Sequence, residues 1–217
     1  MSCTAPPRRI RSYVRRERPL TAGAKASHEE LWPRFGVEPH LWSDLKKGAR
    51  GLVLDIGFGD GEALLTMAEA DPERDYVGVE MYRTGIVKAL RGIADRGLSN
   101  VRLIQADAKS VVTSVGDGHL DAVLVFFPDP WPKTRHHKRR LVRAEFLGEI
   151  ARVLRMGGLF HMATDWQPYA DEVAVAVDAH PAFLRKEGSG GRPVTKFERR
   201  GQRLGHSSHD LRFTKIG

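Results

Sequence analysis

The chain has a single cysteine, Cys3, among its 217 residues. An intrachain disulfide is therefore impossible, which favours a reducing compartment such as the cytoplasm. No apolar run approaches the roughly 18 residues that a membrane-spanning helix needs. No apolar segment follows the arginine-rich N-terminus as it would in a secretory signal. We therefore expect a cytoplasmic protein without a membrane partner.

Acidic residues are fewer than basic ones, since 27 Asp and Glu stand against 35 Lys and Arg, and the formal net charge is +8. The excess cations concentrate in segments 8–18, 133–143 and 196–203, which favours a polyanion as partner. Residues 1–25 contain the first of these segments and few apolar residues, and we expect them to form a flexible basic arm. Residues 26–217 are long enough for one domain.

Strand and helix patterns alternate from residue 51 onward, which predicts a parallel sheet covered by helices on both faces. The predicted strands are Leu52–Ile56, Tyr76–Val79, Val101–Gln105, Leu120–Phe127 and Leu159–Thr164. The predicted helices are Ser27–Arg34, Gly61–Ala70, Thr84–Asp95 and Leu141–Leu154, with Ser27 and Gly97 as caps. Gly157 and Gly158 are expected to turn the chain into the fifth strand.

Four successive strands each end at an acid, namely Asp55, Glu80, Asp107 and Asp129. In parallel sheets the carboxyl ends of the strands share one edge, where ligands bind. The turn after the first strand has glycines at 57, 59 and 61 but Glu62 where the dinucleotide fingerprint needs glycine. Its acids would repel a pyrophosphate and suit a cationic cofactor instead. Adenine, ribose and a sulfonium without phosphate describe S-adenosylmethionine.

The segment from Phe126 to Arg140, FFPDPWPKTRHHKRR, follows the fourth strand. Proline restricts its own backbone and that of the residue before it, so Asp129 between two prolines is held stiffly. An aromatic ring and a run of cations follow directly. A rigid carboxylate in these surroundings suits a flat, electron-rich, negatively charged substrate such as a nucleobase within RNA or DNA.

The motifs LDIGFGDG, VGVE, FFPDPWPK-x-RHHKRR, FHMATDW and RPVTKFERRG resemble those of the bacterial tRNA (guanine-N7-)-methyltransferases of the TrmB type. The resemblance runs from Arg8 to the final strand near Phe213. It implies an α/β, Rossmann-like class I S-adenosylmethionine-dependent methyltransferase with a mostly parallel seven-stranded sheet. The implied reaction is methylation of N7 of the guanosine at position 46 in the tRNA variable loop. Asp55 stands where the family leads us to expect glutamate.

The resemblance also implies roles for individual residues. Asp129 would be catalytic. The cofactor would be bound by Asp55, Gly57, Gly59, Gly61, Glu80, Asp107 and Asp129. The guanine nucleotide would be bound by Lys133, Asp165, Thr195, Lys196, Phe197 and Glu198. RNA would be contacted by Arg135, His136, His137, Lys138, Arg139 and Arg140.

Other functions remain open on the residues alone: a methyltransferase for another RNA or for a small molecule, a non-catalytic RNA-binding protein, and a nicotinamide oxidoreductase. The basic segments disfavour a small molecule, the intact glycine turn and Asp129 disfavour a non-catalytic protein, and the acids at that turn disfavour nicotinamide. The nine histidines have no cysteine partners suited to zinc, so we expect no metal. A monomer and a homodimer both fit the sequence.

Overall fold

The computed structural model describes residues 12, 19–42, 45, 50–188, 191–203, 205 and 207–217. Its helices are α1 (Ala22–Phe35), α2 (Glu62–Ala70), α3 (Arg83–Arg96), α4 (Ala108–Thr113), α5 (Ala144–Val153), α6 (Gln167–Asp178) and α7 (Lys196–Arg203). Its strands are β1 (Leu52–Ile56), β2 (Asp75–Glu80), β3 (Val101–Gln105), β4 (Leu120–Phe126), β5 (Leu154–Thr164), β6 (Phe183–Arg185) and β7 (His209–Lys215). A 3-10 helix spans Thr134–Arg139.

The seven strands form one sheet in the order β3-β2-β1-β4-β5-β7-β6. Pairs within the first five strands of this order are parallel, whereas β7 runs antiparallel to both β5 and β6. The predicted fold class, a mostly parallel seven-stranded sheet of the Rossmann-like type, is confirmed.

The side chains of β1 show how the sheet builds two cores. Leu52, Leu54 and Ile56 point to one face, where they pack with α4, α5 and α6. Val53 points to the opposite face, where α1, α2 and α3 pack. This alternation follows from the two-residue period of a strand. Both faces of β1 are covered, which explains why its sequence is a continuous apolar run interrupted only by Asp55.

The order of the strands reverses beside β1, which pairs with β2 on one side and β4 on the other. The helix after β1 packs on one face of the sheet and the helix after β4 packs on the opposite face. A crevice therefore opens at the carboxyl ends of β1 and β4, where open α/β sheets bind ligands.

Several predicted boundaries are confirmed: β1 and β3 have the predicted residues, and Gly97 caps α3 in the left-handed conformation with φ of 63°. The start of the first helix is wrong. Thr21 is the N-cap, accepting from the N–H of Ala24, and Ser27 lies inside the helix, where its hydroxyl donates to the carbonyl of Gly23. Residues 22–25 of the predicted arm are therefore helical, and residues 1–11 and 13–18 lie outside the described part.

The predicted turn at Gly157 and Gly158 is also wrong. β5 begins at Leu154, and its register with β4 shifts between Leu120 and Ala122. The glycines therefore lie within an irregular stretch of one strand. The helices α4, α6 and α7 were not predicted.

Candidate active site

The glycine turn between β1 and α2 forms the floor of the crevice. Gly57, Gly59 and Gly61 all have positive φ, at 74°, 62° and 84°, a conformation in which other residues are strained. A side chain added at Gly57 would meet no atom within 4 Å, so this position faces open space. Gly61 is buried at the start of α2, against Ala89, and it lines neither of the two cavities described below. Its contact with the cofactor stays a prediction.

Asp55, in β1, is the most unusual side chain of the site. It is 1% exposed, and neither carboxylate oxygen has a hydrogen-bond partner among the described residues. Burial, followed by the nearby charge of Glu80, raises the pKa of Asp55 to about 7. A buried acceptor without a donor is costly to the fold. A cationic ligand group in the adjoining cavity would supply the missing partner.

Glu80, at the end of β2, is a buried carboxylate whose oxygens accept backbone N–H groups. One oxygen accepts from Gly59 at 3.1 Å, and the other accepts from Met81 and Tyr82 at 2.6 and 3.0 Å. Burial raises the pKa of Glu80, and these backbone bonds oppose the rise. The side chain thereby ties the glycine turn to the end of β2.

Two adjoining cavities, of about 160 and 270 Å³, occupy the crevice. Both are lined by Gly57, Glu80, Tyr82, Phe127 and Asp129. The smaller cavity also reaches Asp107, the N-cap of α4, and the larger one reaches Asp55, Gly59 and Thr195. The structure therefore brings the four predicted acids to one crevice.

Asp129 lies at the mouth shared by both cavities. The residue is exposed, and partial burial against the crevice raises the pKa of Asp129. The backbone before it is strained, because Phe127 has φ of 51°. The N–H of Phe127 bonds the carbonyl of Ala163 at 2.7 Å, which holds the strained residue against β5. Strain of this kind concentrates at functional sites.

Trp131 also has positive φ, at 46°, and lies beside the site rather than in the core. Its indole N–H donates to the carbonyl of Ser12 at 3.3 Å, which brings one residue of the predicted arm to the rim of the smaller cavity. The guanidinium of Arg139 lies 4.8 Å from its ring centre. The ring therefore links the crevice to the cationic segment.

The cationic segment forms the 3-10 helix Thr134–Arg139, in which Arg135 and Lys138 are exposed. Partial burial and the surrounding cations, Arg139 first, lower the pKa of His136. His136 therefore adds little positive charge to this surface near neutral pH.

Arg140 does not share this surface, and its predicted contact with RNA is corrected. Its side chain is 1% exposed and ion-paired with Glu172. Its Nε donates to the carbonyl of Pro130 at 2.9 Å, and its guanidinium lies 4.8 Å from the ring centre of Tyr169. Arg140 thus supports the proline-rich turn from the inside.

Segment 195–198, at the start of α7, adjoins the larger cavity. Thr195 lines that cavity and caps α7 by accepting from the N–H of Glu198 at 3.2 Å. Glu198 is buried and ion-paired with Arg192. The side chains of Lys196 and Phe197 lie outside the described part. Arg199 of the same helix is ion-paired with Glu62 beside the glycine turn.

Lys133 and Asp165 do not line either cavity. Lys133 is exposed and precedes the 3-10 helix, and Asp165 is exposed after β5. Both follow strands that end at the crevice, so a bound nucleotide larger than the cavities could reach them.

Sequence reasoning missed Tyr82, Phe127 and Arg192, which line or brace the crevice. Tyr82 lies two residues after Glu80, so the end of β2 was a usable signal. Arg192 opens the RPVTKFE motif and its partner Glu198 closes it, but Asp210 and the rings of Phe126 and Phe127, which it also contacts, lie outside the motif. No group of three or more potential metal ligands occurs among the described residues. In that part of the chain, helices are too short or too polar to cross a bilayer.

Comparison with known proteins places this site in a family. A family model described as "Putative methyltransferase" matches residues 49–211. A tRNA (guanine-N(7)-)-methyltransferase of Nitrosococcus oceani is 46% identical over an alignment covering 96% of this chain and 92% of that protein. One of Leifsonia xyli is 44% identical, with 98% of both proteins covered.

A solved structure of an rRNA methylase from Streptococcus thermophilus shares the fold. Its TM-score is 0.55 at 14% identity, covering 82% of this chain and 94% of that one. The sheet, the acidic crevice and the relatives together lead to one conclusion: the chain belongs to the family of tRNA (guanine-N(7)-)-methyltransferases.

Proposed function

We propose that this protein methylates N7 of a guanine in tRNA and so forms 7-methylguanosine. S-adenosyl-L-methionine is the methyl donor of the family. The observation that carries the proposal is the crevice itself, where the unpartnered carboxylate of Asp55 and the rigidly held Asp129 face joined cavities. The 3-10 helix with its exposed cations follows Asp129 in the chain and begins at Thr134.

The residues of the crevice fit this donor. Asp55, Gly57, Gly59, Glu80, Asp107 and Asp129 would hold it. Asp55 needs a cationic or donor group, Gly57 leaves space that a side chain would fill, and Glu80 and Asp107 offer acceptors suited to ribose and adenine. When bound, the donor supplies a methyl group on a positively charged sulfur. The family expectation of glutamate at position 55 is met in charge but with a shorter side chain.

Asp129 is the proposed catalytic residue. Guanine N7 carries a lone pair and no proton at neutral pH, so its attack needs no strong base. The residues of the crevice therefore act by orientation, which can lower a barrier by roughly 7–11 kcal/mol. Positive charge develops on the base during transfer, and a carboxylate beside the ring stabilises it. Asp129 lines both cavities, so its carboxylate can lie beside a base that is bound there.

The guanine nucleotide is proposed to lie between Asp129 and α7. Thr195 lines the cavity next to Asp129, and Glu198 follows one turn into the helix. Glu198 accepts two bonds from Arg192 and one from Ser208, and an ionised carboxylate has about four acceptor sites, which leaves capacity for a bond from the base. Lys133, Asp165, Lys196 and Phe197 complete the proposed contacts at the open side.

The exposed cations of the 3-10 helix are proposed to contact phosphates of the tRNA. Arg135 and Lys138 are the exposed members, with His136, His137 and Arg139 partly buried beside them. Contacts to phosphates supply affinity and register, whereas base contacts supply selectivity. We place the target at position 46 of the variable loop by resemblance to the family. The lone cysteine and a tRNA substrate favour the cytoplasm.

The proposal is tested with methyl-labelled S-adenosyl-L-methionine and unmodified tRNA transcripts. We expect label in 7-methylguanosine after nuclease digestion and mass analysis. A matched transcript with adenosine at position 46 should take up no label. Label on a base other than guanine, or on guanine at an atom other than N7, would contradict the proposed function. Label in both transcripts would contradict only the position.

A further inference from the structure

Arg192 lies in the loop between β6 and α7, and the proposed chemistry leaves it without a role. Its side chain is 5% exposed. Nη1 and Nη2 donate to the two oxygens of Glu198 at 2.5 and 2.8 Å. Nε and Nη2 donate to the two oxygens of Asp210 at 2.6 and 2.9 Å. Each carboxylate therefore accepts two bonds from one planar group, which fixes its orientation.

The same guanidinium covers the end of β4. Its central carbon lies 5.8 Å from the ring centre of Phe126 and 5.2 Å from that of Phe127. Cations over aromatic faces are attracted at these distances. Phe127 is the strained residue that leads into Pro128 and Asp129. Arg192 thus lies over the side chains at the end of the strand that leads to the proposed catalytic carboxylate.

Two further contacts close this cluster. His161 of β5 is buried, and its Nε2 lies 2.7 Å from an oxygen of Asp210. The ring of His161 also meets the ring of Phe126 edge-on, with centres 5.1 Å apart. Arg192 therefore joins α7, through Glu198, and β7, through Asp210, to β4, through the ring of Phe126. His161 of β5 contacts both Asp210 and Phe126 and so closes the cluster.

We propose that Arg192 is a positioning residue for methyl transfer. It sets the segment Thr195–Glu198 at a fixed distance from the strand end that carries Asp129, and so aligns the base with the methyl donor. This rests on the proposed function, because that segment holds the guanine only under it. Lysine cannot substitute, since its ammonium group lacks the planar set of donors that orients two carboxylates at once.

The test is Arg192→Lys, which keeps the charge and loses the planar fork. A misplacement of about 1 Å in a reacting group can cost about 100-fold in rate, and we expect kcat and the single-turnover rate to fall by about that factor. The KM for S-adenosyl-L-methionine and the dissociation constant for tRNA should stay near those of the parent, because Asp55 and the exposed cations are untouched.

Arg152→Lys is the matched control. Arg152 donates to Glu149, to Asp117 and to the carbonyls of Val112 and Val115, yet it contacts neither cavity. A comparable set of bonds is lost there without a change in the site. We expect its kcat to equal that of the parent. Thermal unfolding of both variants separates a loss of stability from a loss of rate.

Asp210→Asn provides a second route if Arg192→Lys does not fold. It weakens the hold on Arg192 from β7, so kcat should fall in the same direction with the KM for the methyl donor unchanged. Where Arg192→Lys folds, the double variant should be no slower than Arg192→Lys alone, because both changes release the same group.

Parent-like kcat in Arg192→Lys would overturn the inference, as would an equal loss of kcat in Arg192→Lys and Arg152→Lys. If Arg192→Lys does not fold, parent-like kcat in Asp210→Asn would overturn it. A failure of the proposed function is seen separately, in the parent, as methylation of a different nucleotide. The ratio of variant to parent rates is then measured on that nucleotide.

Discussion

Carboxylates of two kinds lie at the same edge of the sheet, the buried Asp55 on one hand and the buried Glu198 with the half-buried Asp210 on the other, and they behave in opposite ways. Asp55 accepts no hydrogen bond from the described residues, and burial and the charge of Glu80 raise its pKa to about 7. Glu198 and Asp210 are bonded by Arg192. The bond from Arg192 lowers the pKa of Glu198. Burial raises the pKa of Asp210, but bonds from His161 and Arg192 outweigh burial and hold it below its ordinary value.

This difference separates a group that only a ligand can satisfy from groups that also brace their neighbours. A buried carboxylate with partners fixes neighbouring elements in place, whereas one without partners lowers stability until a ligand arrives. The sheet edge carries both kinds. The two kinds of carboxylate are distinguished by the hydrogen-bond donors around them and not by burial alone. Four measurements can break or sharpen the distinction.

The largest effect is expected from Asp55→Asn on the ligand-free protein. The pKa of Asp55 is raised from 3.8 to about 7 on folding, so the folded protein holds the proton more tightly and stability falls as pH rises between these values. Asparagine removes this loss. We expect the variant to be more stable than the parent by roughly 4 kcal/mol above pH 7, at about 1.4 kcal/mol per pKa unit, and to match it below pH 3.8.

Urea unfolding across pH measures this gain, with Asp95→Asn, an exposed change in α3, as control. The same variant should bind S-adenosyl-L-methionine about 10- to 100-fold more weakly, because a bond to a charged group is lost. A variant that is less stable than the parent at pH 8 would place Asp55 among the bracing carboxylates.

Asp129→Ala should have the next largest effect. Removing one group that stabilises charge in the transition state costs about 100- to 1000-fold in turnover. Affinity for tRNA should be nearly unchanged, because Asp129 contributes no phosphate contact. Turnover and filter binding measure the two quantities, with Asp117→Ala, remote from the crevice, as control. Near-normal turnover would remove Asp129 from the catalytic role.

Glu198→Gln should act in the opposite direction to Asp55→Asn. Loss of a charged hydrogen-bonded partner costs about 1.5–3 kcal/mol. Because the pKa of Glu198 is lowered on folding from 4.5, the stability it provides is complete above pH 4.5 and is lost as pH falls through the folded value. The difference in stability between the variant and the parent should therefore vanish at low pH.

Urea unfolding across pH also measures the difference in stability between Glu198→Gln and the parent, with Glu73→Gln, a change at an exposed residue, as control. A destabilisation that persists unchanged at low pH would show that the side chain acts through packing rather than through its charge.

The smallest effect is expected from removing two exposed cations, Arg135→Ala with Lys138→Ala. Each phosphate contact contributes about 0.7–0.9 to the slope of log affinity against log salt. The slope for tRNA should therefore fall by about 1.5. The matched control is Arg50→Ala with Arg102→Ala, which removes the same charge near the amino ends of β1 and β3. An equal slope in parent and test variant would place the RNA elsewhere.

Much of this architecture was predictable because it depends on local pattern. The buried apolar run of β1 and the glycines after it determine a strand and a turn, and parallel strands bring their final acids together. The fate of Arg140 was not predictable in this way. In sequence it continues a run of exposed cations, and only the three-dimensional positions of Glu172 and Tyr169 draw it inward.

Arg192 shows the same limit more clearly. Its partners Glu198 and Asp210 are 6 and 18 residues away, and the aromatic rings that it covers belong to β4 and the residue after it. Nothing in local periodicity links these positions. The predicted binding role of Glu198 came from motif resemblance, which does not distinguish a contact with ligand from a contact that shapes the ligand's surroundings.

The turn around Asp129 has a consequence for how the protein meets its substrate. Prolines on both sides, the left-handed Phe127 and its bond to Ala163 restrict this loop in the folded chain. The conformational entropy of these residues is therefore lost during folding and not during capture of RNA. Recognition can then proceed without an ordering step at the proposed catalytic carboxylate, and selectivity depends on the shape of the nucleic acid that arrives.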